Sequence, residues 1–171
     1  MASQAASVPL AHSGGSAPRE FRPSVLRVGS VYVVSFFISG KPVAKQRPRT
    51  TKTGHTYTPE NTRTWESHVG WELREQMTHI SFQQGVQLPK FEGRVVVDMR
   101  FNFVRPKSTP KKVVHKLKKP DYDNLAKSIT DSLQNVGFYK DDALITDCMM
   151  RKRFADDEHP EGVELELTCW T

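Results

Sequence analysis

Lys119 to Asp142 reads KPDYDNLAKSITDSLQNVGFYKDD, and its pattern sets the frame for the whole chain. Leu125, Ile129, Leu133 and Val136 fall on one helical face, and Gly137 supplies a stop. The stretch is therefore an amphipathic helix with carboxylates at both ends. Asp121 and Asp123 open it and the adjacent pair Asp141 and Asp142 closes it. Asp123, Lys127 and Asp131 are each four residues apart, so they line a neighbouring face of the same helix.

Upstream, Arg94 to Val104 (RVVVDMRFNFV) gives the clearest strand signal. Val95, Val97, Met99, Phe101 and Phe103 alternate with a largely polar set, as a strand with one buried face requires. Ser30 to Ser39 (SVYVVSFFIS) is a β-branched and aromatic run ended by Gly40 and Pro42, which predicts a second strand. Pro59 to Met77 predicts a helix with Thr58 as its cap and Pro59 in the first turn. Trp65, Val69 and Leu73 form its apolar stripe, and both Trp65 and Trp71 read as core. Ala143 to Met150 and Val163 to Trp170 read as two further strands joined by the polar turn FADDEHPEG, hence a hairpin. The expected architecture is a single small α/β (α+β) domain over residues 28–171, with one mixed sheet of about four strands and two principal helices. Residues 1–27, rich in Ala, Ser, Gly and Pro, read as a disordered arm.

Lys and Arg number 25 against 19 Asp and Glu, a net charge of +6 that favours a polyanionic partner. The excess is concentrated in two acid-free loops on either side of a strand. GKPVAKQRPRTTKTGHTYTP carries Lys41, Lys45, Arg47, Arg49 and Lys52. RPKSTPKKVVHKLKKP carries Arg105, Lys107, Lys111, Lys112, Lys116, Lys118 and Lys119, and its prolines suggest a flexible loop. Together they resemble an electrostatic footprint for a nucleic-acid backbone. The only cysteines, Cys148 and Cys169, support neither a zinc site nor a disulfide framework. No apolar run approaches the roughly 20 residues that cross a bilayer. The N-terminus lacks the pattern of a secretory signal, so a cytoplasmic setting is expected.

For the carboxylates there is a plain reading. Asp121 can cap the helix, Asp123 can complement its dipole, and Asp141 and Asp142 can occupy a turn. Lys127 can pair with Asp123 or Asp131 one turn away. The stronger reading takes them together: the expected hairpin returns Asp141 and Asp142 to the start of the helix, and three or four carboxylates converge beside cations. Mg²⁺ suits such hard oxygen ligands and is completed by substrate phosphate. Lys127 would neutralise charge on the transition state or protonate the leaving oxygen.

These residues carry a resemblance. D-x-D-N-L-x-K, a helix, then G-F-x-x-D-D resembles the core of the RusA family of Holliday-junction resolvases, and GKPVAKQRPRTTKTGHTYTPENTRTWE resembles the basic loop and helix start of its phage-type members. The resemblance covers about residues 30–170. It implies a small homodimer that cuts four-way DNA junctions symmetrically with Mg²⁺, Mn²⁺ being a substitute, in recombination and repair. Asp121, Asp123 and Asp142 match the family's metal-binding carboxylates and Lys127 its catalytic lysine, with Asp141 as a supporting acid. Lys45, Arg47 and Arg49 stand where backbone-binding cations are expected, and Lys111, Lys112, Lys116, Lys118 and Lys119 extend that set. The alternatives are a non-catalytic branched-DNA-binding module and a D-x-D phosphatase or nucleotidyltransferase. The last is disfavoured because such motifs end an apolar strand, whereas this one follows KLKKP and opens a helix.

Overall fold

Gly29 has φ +62° and joins two paired strands through a two-residue turn. The computed structural model describes residues 21–171. Strand β1 (Ser24–Val28) pairs antiparallel with β2 (Val31–Ser39), in register from Val28↔Val31 to Ser24↔Ser35. The stretch read as disordered thus ends in a strand, and residues 1–20 of it lie outside the described residues. The signal for β1 was its turn: Gly29 reaches positive φ without a Cβ penalty, which a tight hairpin needs. Gln84 adds a side-chain acceptor for the Val25 N–H at 3.1 Å.

Within the first basic loop, β3 (Arg49–Thr50) and β4 (Thr56–Tyr57) make a small separate ribbon. Helix α1 runs Glu60–Gln84, with Pro59 rather than Thr58 at its N-cap. It extends seven residues past Met77, because Ile80 continues the buried stripe of Trp65, Val69 and Leu73. Trp65 is core, but Trp71 is 58 % exposed, so only one of the two tryptophans packs inside. A heptad separates Ile80 from Leu73, whereas Trp71 projects from the other side of the helix.

Strand β5 (Val95–Phe103) buries every alternate residue as its pattern dictates. Helix α2 (Tyr122–Asn135) buries Leu125, Ile129 and Leu133, and β6 (Ile145–Phe154) and β7 (Gly162–Trp170) follow. The main sheet has five strands in the order β1-β2-β7-β5-β6. Helices α1 and α2 pack against each other, and their buried stripes join the alternating residues of β2, β5 and β7 in one core. This is a small α+β domain with a mixed sheet.

The expected hairpin between β6 and β7 does not form. β6 lies parallel to β5, with Val95↔Ile145 and Phe103↔Phe154, and β5 stands between β6 and β7. The cause is α2. A helix that crosses the sheet delivers the chain to the starting end of β5, so the next strand must run parallel to it. The FADDEHPEG segment then steps across β5 to bring β7 into the middle of the sheet.

Gly162 begins β7 at a close approach of two strands. It has φ +154°, and a Cβ there would lie 2.4 Å from the Ile38 carbonyl oxygen and 2.6 Å from the Phe37 ring. Backbone cannot yield by that much without unpairing Ser39 from Gly162. Gly162→Ala is expected to destabilise the fold by about 2–3 kcal/mol, read as a lowered urea midpoint at unchanged m. An unchanged midpoint would show that the strands have room to separate there.

Candidate nucleic-acid interface and carboxylate site

The two basic loops meet. Residues 41–46, the start of α1, the end of β5 and residues 116–120 enclose a cleft of about 960 Å³ that opens at the N-terminus of α2. Lys41, Lys45, Lys116 and Lys119 line it, together with Asp121 and Asn124. The first loop is fixed to the helices through its backbone: Lys45 N–H donates to the Asn124 carbonyl at 2.9 Å and Gln46 N–H to Thr62 Oγ1 at 3.3 Å.

The second loop, expected to be flexible, is fastened along its length. Lys116 N–H donates to the Lys152 carbonyl at 3.1 Å and Phe154 N–H to the Val114 carbonyl at 2.9 Å, so residues 114–116 run beside the end of β6. Arg105 holds the Pro110 carbonyl at 2.9 Å. Lys152 Nζ donates to the carbonyls of Lys118 (3.1 Å) and Pro120 (2.7 Å), next to a cis peptide bond at Lys119–Pro120. Proline content signalled irregular backbone, but the backbone groups it leaves unpaired find partners on β6.

Lys116 lies over the Phe103 and Phe154 rings, with its Nζ 5.1 Å and 5.9 Å from their centroids. Burial pushes its pKa below the usual lysine value, and the nearby Lys152, Lys41 and Lys118 push it the same way. Cations crowded to that degree favour an anion among them. Of these, Lys41 was named in the first basic loop but not placed among the DNA-binding residues, and Lys152 was not singled out from the sequence. The Arg-Lys-Arg run at 151–153 was the available signal, but it sits inside a strand where alternation hides which member faces the cleft. Arg47, Arg49, Lys111, Lys112, Lys118 and Lys119 are all exposed. Lys45 differs, since its Nζ is held by Asp131 at 2.5 Å and Glu66 at 3.0 Å.

Asp121 occupies the N-cap position of α2 with extended backbone, yet its side chain makes no capping hydrogen bond. Asp121 is instead one of the residues that line the cleft, and it is exposed. Asp123 is exposed in the first turn, and Lys127 is exposed one turn further along. Lys127 forms no ion pair with Asp123 or Asp131 among the described residues, because Asp131 is already taken by Lys45. At the other end, Asp141 accepts the Ala143 N–H at 2.8 Å and caps a short 3₁₀ turn, Asp142–Leu144, which leaves Asp142 exposed.

The chain does not return Asp141 and Asp142 to Asp121. Lys140 N–H donates to the Phe91 carbonyl at 3.1 Å, Tyr139 bridges Phe91, and Ile145 pairs with Val95, all at the starting end of β5. Asp121 sits beside Lys152, at the finishing end. The 14 residues of α2 lie between the two acidic pairs, a rise of about 21 Å. The expected convergence failed on direction: a strand antiparallel to the helix before it starts at the helix's C-terminus and reaches the N-terminus only at its own far end. Among the described residues no three His, Cys, Asp or Glu side chains form a metal-holding group within one chain. Asp121, Asp123 and Asp142 are nonetheless exposed oxygen donors with no ion pair among the described residues, which suits a hard cation.

No helix of the described residues is long and apolar enough to cross a membrane. No curated protein matches the chain. The family model described as endodeoxyribonuclease RusA matches residues 39–168, a span that takes in both basic loops, both helices and the acidic pairs at each end of α2. The chain belongs to the RusA endodeoxyribonuclease family.

Proposed function

We propose that this protein is a Mg²⁺-dependent, structure-selective endonuclease that resolves Holliday junctions by paired symmetric nicks. It would act as a homodimer during recombination and repair, in the cytoplasm of a bacterial or phage-infected cell. The observation that carries the reading is the meeting of two acid-free basic loops at the helix terminus that bears Asp121 and Asp123.

In this reading Lys41, Lys116 and Lys119 take up the DNA backbone along the cleft, with Arg47, Arg49, Lys111, Lys112 and Lys118 extending the contact. Asp121 and Asp123 hold the metal, and Mn²⁺ would serve in its place. Magnesium, when bound, supplies Lewis-acid polarisation of the phosphoryl oxygen. Lys127, one turn beyond Asp123 and free of ion pairs among the described residues, faces the charge that builds on the phosphate. Water adds to phosphorus and gives up a proton to solvent, the bond to the leaving oxygen breaks, and Lys127 delivers the proton that this oxygen takes up and regains one from solvent.

Asp142 is a helix length from Asp121 in its own chain. In the homodimer, Asp142 of the partner subunit would complete the carboxylate set, with Asp141 of the partner subunit in support. A two-fold dimer then carries two such sites, one for each of the paired nicks. The separation of the acidic pairs within one chain also favours a second reading, a module that binds branched DNA without cutting it.

A labelled four-way junction incubated with and without Mg²⁺ separates the two. Paired nicks that appear with Mg²⁺ and vanish on chelation are the expected outcome. Binding without cleavage under every metal condition would leave the binding module as the better account.

A further inference from the structure

Lys45 belongs to the first basic loop, yet its surroundings differ from those of every other cation at the cleft. Its Nζ sits 2.5 Å from Asp131 Oδ2 on α2 and 3.0 Å from Glu66 Oε1 on α1, and that Glu66 oxygen is otherwise unpartnered. Its own N–H holds the Asn124 carbonyl at 2.9 Å, in the first turn of α2. The neighbouring Trp65 Nε1 donates to Ser128 Oγ at 3.3 Å, so α1 and α2 are already in contact here. Burial acts to lower the Lys45 pKa, but the two carboxylates outweigh it and hold the pKa above the usual lysine value. One ammonium between two carboxylates leaves a local charge of the wrong sign for a phosphate.

We propose that Lys45 is a positioning residue rather than a DNA ligand: it locks the cleft-lining loop and α1 onto α2, and so fixes Asp121, Asp123 and Lys127 relative to the DNA path. The lock has two points, the Asn124 carbonyl at one turn of α2 and the Asp131 carboxylate two turns further on. A helix held at two points along its length can neither slide nor rotate against the loop that borders the cleft. The inference rests on the nuclease reading only for its effect on cleavage; its claim about binding does not.

Two measurements test it. The first is junction affinity as a function of salt for wild type, Lys45→Met and Lys119→Met. The slope of log affinity against log salt should fall by about 1 unit for Lys119→Met, the loss of one phosphate contact, and should not move for Lys45→Met. The second is the single-turnover rate at saturating enzyme. Lys45→Met should slow it by about tenfold to a hundredfold, the cost of small misplacement of reacting groups. Lys45→Arg, which keeps the cation between both carboxylates, should recover most of that loss. Lys45→Met/Asp131→Asn removes the repulsion left between Asp131 and Glu66 and keeps a folded variant to measure. Its rate should stay low while its salt slope stays that of wild type.

A fall of one unit in slope for Lys45→Met would overturn the proposal whether or not wild type cuts DNA. So would a wild-type cleavage rate in a folded Lys45→Met variant. If wild type binds junctions and never cuts, the nuclease reading falls, and the slope comparison still decides between ligand and lock.

Discussion

Asp123→Asn is expected to lower the single-turnover cleavage rate of a four-way junction by at least about a thousandfold, equivalent to about 4 kcal/mol in the barrier. The change is nearly isosteric and falls on an exposed side chain in the first turn of α2. It leaves core packing untouched, so its effect on stability should not exceed the helix-dipole contribution of about 0.3–1 kcal/mol. Chemistry and stability therefore separate. An amide oxygen is a weaker ligand for Mg²⁺ than a carboxylate, and the site would lose one unit of negative charge that balances the cation. Junction binding should persist and even tighten slightly, because a negative charge beside the phosphate path has gone. Gel-shift affinity and cleavage rate, measured on the same preparation, check both halves. A variant that cuts within tenfold of wild type would remove Asp123 from the metal site, and one that no longer binds would point to misfolding.

The parts of this fold legible in the sequence are those where one side chain decides one orientation. Alternation in Val95–Phe103 and Val163–Cys169 named the buried face of β5 and β7 correctly, and Leu125, Ile129 and Leu133 named that of α2. The clustering of cations was legible too, since no fold hides a 16-residue stretch without an acid. Strand order was not. Alternation says which face of β6 looks inward and nothing about which strand lies beside it, and β6 is largely exposed along its first half. Its neighbour is chosen by α2 crossing the sheet, a property of the whole β5-α2-β6 unit. The same limit misplaced Asp142. D-x-D and D-D, read as a motif, are a single cluster; on the helix between them they are two ends of a rod. Lys45 shows a third kind of limit. Its place in the sequence matches Arg47 and Arg49, and only Glu66 and Asp131, 21 and 86 residues away, turn it from a surface cation into a lock.

That separation of the acidic pairs leads to the prediction with the sharpest outcome. Asp123→Asn and Asp142→Asn should each abolish cleavage when present alone, whichever subunit supplies the carboxylates. Mixed dimers distinguish the arrangements. If each site takes Asp121 and Asp123 from one subunit and Asp142 from the other, a dimer of one Asp123→Asn chain and one Asp142→Asn chain has one intact site and one doubly altered site. If each site lies within a single chain, both sites of that dimer carry a lesion and neither cuts. Refolding the two variants together in equal amounts makes half of all dimers mixed, each with one working site of two. The cleavage rate should then rise from background to about a quarter of the wild-type value, on statistical assortment across a two-fold dimer. The product would shift as well, because a dimer with one site nicks one strand and leaves the junction unresolved. A denaturing gel reads the nick and a native gel reads the resolution. A mixture as inactive as its two parents, with dimers shown by sedimentation, would exclude a site shared between subunits. Cleavage by wild type would then require the chain to rearrange on DNA by the length of α2, so that Asp142 reaches Asp121 and Asp123 of its own chain.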